Sequence, residues 1–161
     1  MSRRSASGPW GTLTPDYVGN LMNFSKSQRT WIYQQDRTME CRQAEGVAHL
    51  WNVLGTECLA LLADEVGMGK TFQALGVLCL LWKMKPDAKI LILAPNRDIC
   101  RHWATEYRSF IKDHYRDVDH LVKSAQDDAP IKDFVFCANH TELSAKVEKV
   151  QAMPSSPPFI C

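Results

Sequence analysis

Residues 61–71 read LLADEVGMGKT, and no other stretch constrains the fold as tightly. An apolar run ends in Asp64-Glu65 and is followed by Gly67, Gly69, Lys70 and Thr71. Glycines two apart let a backbone turn tightly and aim several N–H groups at one anion. The run before them, CLALLA at 58–63, is continuously apolar, as in a strand buried on both faces. The run after them, TFQALGVLCLLWKM, is apolar nearly all round, as in a helix packed within a core. Strand, glycine loop and helix in that order make a phosphate cradle, and the helix dipole adds positive potential. In such a loop Lys70 reaches the β- and γ-phosphates and the Thr71 hydroxyl ligates magnesium.

The flanking sequence repeats the alternation. Val47, Leu50, Trp51 and Leu54 share one helical face, and Gly55 fits that helix's C-terminus. Pro86-Asp87 suits a turn, and KILILAP at 89–95 a second buried strand. Ile99, Trp103, Tyr107 and Phe110 recur at amphipathic spacing, so Trp103 and Phe110 are expected in the core. DFVFC at 133–137 suits a third strand and 141–152 a short helix. PSSPPFIC, with three prolines, is expected to form no regular element. The implied fold is α/β, a parallel sheet with crossover helices. Three strands make a thin sheet, so it is expected to be incomplete.

Composition excludes little. With 19 basic and 18 acidic residues the net charge is +1, which neither demands nor forbids nucleic acid. The six cysteines contain no C-x-x-C pair, which argues against zinc and for a reducing, intracellular compartment. Cys58 and Cys79 lie in apolar runs and are expected in the core. No signal-peptide h-region follows MSRRSASGPW, and the longest apolar helical stretch is too short to span a bilayer.

The eight residues DEVGMGKT resemble motif I of the SWI/SNF-like ATPases, a branch of the superfamily-two helicases. They depart from the common G-x-x-x-x-G-K-S/T loop, because Asp64 stands where the first glycine would be. RQAEGVAHLW at 42–51 resembles the family's glutamine motif, with Arg42 in place of an aromatic and His49 where tryptophan is frequent. ILILAPNRDICRHWATEYRSF at 90–110 resembles motif Ia, and DFVFCANHTEL at 133–143 loosely resembles motif Ib.

The resemblance implies a P-loop NTPase (RecA-like) lobe that binds ATP and Mg2+. It implies nucleotide contacts at Gln43, Asp64, Glu65, Val66, Gly67, Met68, Gly69, Lys70 and Thr71. Gln43 would read the adenine edge, Lys70 and Thr71 would serve catalysis, and Thr71 would hold the magnesium. Pro95, Arg97 and Arg101 would meet the backbone of double-stranded DNA. Residues 1–38 are then an N-terminal arm, partly disordered. Residues 39–153 are the first part of the ATP-binding lobe, and 154–161 an irregular tail at a truncation. The D-E-x-H box is not found: Asp127-Asp128 runs into Ala-Pro. The second RecA-like lobe, with its arginine finger, is also missing. These gaps imply a fragment inactive in hydrolysis by itself, from a cytoplasmic or nucleoid-associated translocase. Two alternatives stay open: another superfamily-two DNA or RNA helicase or restriction-type translocase, and a truncated chain that binds nucleotide or a partner without catalysis.

Overall fold

A computed structural model describes residues 11–28, 30–85, 88–116, 135–137, 139–150 and 159–160. The elements run α1 (Pro15–Leu21), α2 (Met39–Glu57), α3 (Lys70–Met84), β1 (Leu91–Ile92), α4 (Arg97–Asp113), β2 (Val135–Phe136), α5 (His140–Val150) and β3 (Phe159–Ile160). The expected turn at Pro86-Asp87 and the acidic pair Asp127-Asp128 lie outside the described residues. So do residues 1–10 of the expected arm and 154–158 and 161 of the expected tail.

Local chemistry sets the helix ends. Thr38 caps α2 by accepting from the Cys41 N–H, and Asn96 caps α4 by accepting from the Ile99 N–H at 2.9 Å. α2 runs through Gly55 and stops two residues later, where Cys58 takes the left-handed conformation (φ 59°) and donates its N–H to the Leu54 carbonyl. Cys58 is exposed, against expectation, while Cys79 is buried. The buried face of α4 is Cys100, Ala104, Tyr107, Phe110 and Ile111. It is therefore turned from the expected stripe: Ile99 is exposed and Trp103 only partly buried. Tyr107 and Phe110 of that stripe are buried as expected.

Three two-residue strands pair in parallel in the order β1-β3-β2, with Leu91 and Val135 both opposite Phe159. Phe159–Ile160 is thus the central strand, although the proline-rich tail was expected to form no regular element. The run 58–63 corrects another expectation, because it is not a strand. Leu59 is 77% and Leu61 87% exposed. A strand needs partners for its N–H and C=O groups, and among the described residues this segment pairs with no other strand. Among the described residues the expected sheet is limited to this short parallel ribbon.

Within the expected arm, residues 11–28 and 30–33 contribute to the core. Leu13, Val18, Leu21, Met22, Phe24 and Trp31 are buried. Asn52 on α2 exchanges two hydrogen bonds with the Leu13 backbone, at 2.8 and 2.9 Å, and the Trp51 indole donates to the Gly11 carbonyl. Tyr33 donates to Glu45 at 3.0 Å. Burial and that carboxylate push the Tyr33 hydroxyl up to about 12, so it remains a donor at neutral pH. Arg116, after α4, donates to the carbonyls of Gly19 and Trp31.

The segment also meets α3 and α4 through His114. This residue is 1% exposed and packs against Phe72 and Phe110, with ring centroids 4.8 and 5.4 Å away. Its Nδ1 lies 2.6 Å from the Asn23 carbonyl and so carries the proton, while Nε2 has no partner. Burial lowers the His114 pKa. The Asn23 carbonyl, Asp113 and Glu106 oppose that shift, and Lys26 adds to it. A depressed histidine pKa means that the unfolded chain binds more protons below about pH 6.5. Stability from His114 is therefore full above that value and is lost as pH falls toward the folded pKa. The urea midpoint should drop between about pH 7 and pH 5. His114→Asn, which keeps a donor for Asn23, should flatten that slope; an unchanged slope would rule out His114 as its source.

Candidate functional site

The glycine loop joins the exposed segment 58–63 to the first turn of α3. Gly67 (φ 89°) and Gly69 (φ 74°) both take left-handed backbone conformations that L side chains rarely adopt. Between them the Met68 N–H turns back toward the Glu65 carbonyl at 3.4 Å. Gly69 is the N-cap of α3 and brings no side chain to cap it. The first-turn N–H groups of α3 therefore have no side-chain acceptor at the cap, the arrangement that suits an anion. Val66 stands at the tip, 99% exposed.

Lys70 opens α3 and folds back over the loop. Its Nζ donates to the carbonyls of Asp64 and Glu65, both at 2.7 Å. The positive charge thus stays at the loop on two neutral acceptors, which a charged acceptor can displace. Thr71 follows, half-buried in the first turn. Asp64 turns its carboxylate toward α3, where Oδ2 accepts from Gln73 Nε2 at 3.2 Å.

Gln43 reaches this loop from α2. It is only 7% exposed, and a Cβ added at Gly69 would land on its amide nitrogen. Residues 26 apart in sequence are therefore in contact at the mouth of the loop. Pro95, Arg97 and Arg101 do not join them. All three are exposed, at or near the N-terminus of α4. Arg101 pairs with Asp98, at 3.4 Å, and both side chains are well exposed, so the pair adds little stability. Among the described residues no hydrogen bond or ion pair joins either arginine to the loop.

Sequence reasoning passed over Gln73. It is 3% exposed and bonds both Asp64 and the Met68 carbonyl. The signal was a polar side chain just inside an otherwise apolar helix, three residues after Lys70.

A lysine-bearing glycine loop heads the buried helix α3, with α2 packed alongside. The SNF2-related domain family matches residues 42–152, and the chain belongs to that family. That family lies in the SWI/SNF-like branch of the superfamily-two helicases. Among curated proteins it is similar to the DNA repair and recombination protein RAD54-like of Gallus gallus, 27% identical over 85 residues. It is also similar to the protein of the same name from Danio rerio, 29% identical over 80 residues. These matches cover 47% and 44% of this chain but only 12% and 11% of the relatives. No solved structure matches. Among the described residues no helix is long and apolar enough to cross a membrane.

Proposed function

We propose that residues 64–71 bind the phosphates of MgATP, and that this region is the nucleotide-binding part of a DNA-dependent translocase. The observation that carries the proposal is Lys70, held over two left-handed glycines at the N-terminus of α3. ATP and magnesium fit these residues. Gly67 and Gly69 leave backbone N–H groups uncovered by side chains, and Lys70 would exchange two carbonyls for phosphate oxygens. Thr71 would supply a hydroxyl to the magnesium ion, whose chemistry is to neutralise charge on the transferring phosphoryl group. Asp64, Glu65, Val66 and Met68 would shape the turn. The exposed Pro95, Arg97 and Arg101 would meet duplex DNA as phosphate contacts. DNA as partner is supported by the family and by the names of the relatives, and its being double-stranded is part of the proposal. It also fits an intracellular place of action.

Hydrolysis needs more than the cradle: an acid that positions water and a cation at the transition state. The described residues bring neither to the loop, so we propose that the 161-residue chain binds nucleotide weakly and turns it over slowly. A second lobe would supply the remaining wall of the cleft.

Gln43 offers the direct test. Its amide can both donate to and accept from the adenine edge. Gln43→Ala should weaken ATP binding by roughly 5- to 100-fold, for hydrogen bonds of about 1–3 kcal/mol in a partly buried site. GTP should be affected much less, so the preference for ATP narrows. Titration of both nucleotides against wild-type and variant protein checks this. Unchanged discrimination would leave Gln43 as a packing residue against Gly69.

A further inference from the structure

We propose that Gln73 is a positioning residue that braces the nucleotide loop from α3, in a space that Gly46 on α2 keeps clear. This rests on the reading of residues 64–71 as the nucleotide loop. The Gln73 amide nitrogen lies 3.2 Å from Asp64 Oδ2 and 3.3 Å from the Met68 carbonyl. Both partners are acceptors, so the NH₂ must face them and the orientation of the amide is settled by chemistry. One side chain thus holds the start of the loop and the residue between its two glycines.

The amide oxygen points the other way. It is buried without a hydrogen-bond partner, and a Cβ added at Gly46 would land on it. An unpaired buried acceptor is destabilising. Leucine or methionine would fill similar volume without that cost, so packing alone does not account for an amide here. What the amide adds is its hold on the loop.

The contact belongs to a seam. Gln43, Gly46 and Val47 of α2 face Gly69, Gln73 and Gly76, at the N-cap and on α3, respectively. At each step a glycine on one side makes room for a larger side chain on the other. The residue proposed to read the base and the residue that braces the loop are therefore set by the same helix packing. A shift of α2 would move both together.

The test uses the 161-residue chain, with NMR relaxation at Gly67 and Gly69 and MgATP titration as readouts. Wild-type order parameters should be near the rigid value of about 0.85. Gln73→Ala, and Gln73→Asn with its shorter reach, should lower them below about 0.6 while amides of α4 keep their wild-type values. Both variants should bind MgATP about tenfold more weakly. Gly46→Ala should do the same by pushing Gln73 aside. In the Gln73→Ala background Gly46→Ala should add nothing, because the clash is gone. Wild-type order at both glycines in the Gln73 variants, or additive effects in the double variant, would overturn the proposal. Lys70→Ala separates the two readings. If it binds MgATP as well as wild type, the nucleotide loop is refuted, while the order parameters still decide whether Gln73 braces it.

Discussion

Lys70→Ala is expected to lower ATP turnover by on the order of 10²–10³-fold in any chain that joins this region to the rest of its ATPase. The charge on Nζ now rests on the Asp64 and Glu65 carbonyls, 2.7 Å from each. Against phosphate the same Nζ would make charge-assisted bonds, and its stabilisation would grow as negative charge shifts in the transition state. Alanine removes that interaction and little else. Lys70 is the first residue of α3, half-buried, and alanine is the best helix former. The thermal midpoint should therefore change little. Lys70→Arg should fail as well, because a planar fork cannot replace a compact ammonium in so tight a turn. A phosphate-release assay with and without DNA checks both variants. Turnover at the wild-type rate would mean that loop 64–71 is not where phosphoryl transfer occurs.

Phe110→Ala should have the largest effect on stability, about 3–5 kcal/mol. Phe110 is fully buried on α4 and lies between three aromatic partners. Its ring centroid is 6.2 Å from Phe24, 5.6 Å from Phe72 and 5.4 Å from His114. Those partners belong to the N-terminal segment, to α3 and to the end of α4. Truncation opens a cavity where these parts meet, and none can close it without moving a helix. Domains of this size are stable by only about 5–15 kcal/mol, so the loss would remove a large share of the total. Urea unfolding followed by tryptophan fluorescence is the measurement, since Trp31 and Trp51 report the N-terminal segment and Trp82 reports α3. A loss below about 1 kcal/mol would show that the aromatic cluster does not join these parts.

The glycine loop was legible from its spacing and from the helix that follows it. Two glycines around Met68, with a lysine after them, admit few backbone paths, and Gly67 and Gly69 take the left-handed conformations that such a turn requires. The helices α2, α3 and α4 were legible for a related reason: each carries apolar residues in a continuous helical pattern. Periodicity is local information, so it survives without tertiary structure. It was less able to orient a helix. On α4 it proposed Ile99, Trp103, Tyr107 and Phe110; Tyr107 and Phe110 are buried, while Cys100 and Ala104 are buried in place of Ile99 and Trp103.

Strands and burial were decided elsewhere. The apolar run 58–63 looks like a buried strand in isolation, yet a strand exists only through its neighbours, and Leu59 and Leu61 stand exposed. Phe159–Ile160 follows a proline-rich stretch and still pairs between β1 and β2, because two residues in register suffice when both neighbours are in place. Residues 11–33 carry too few periodic apolar positions to announce a core, but Val18, Met22 and Phe24 fill the space beside α2 and α4. By itself the sequence determined the loop and the helices α2, α3 and α4, whose hydrogen bonds close within a few residues. Only the tertiary structure decided which apolar segments are buried, which strands pair and that Gln43 and Gln73 converge on the loop, because those contacts join residues that are neighbours in space alone.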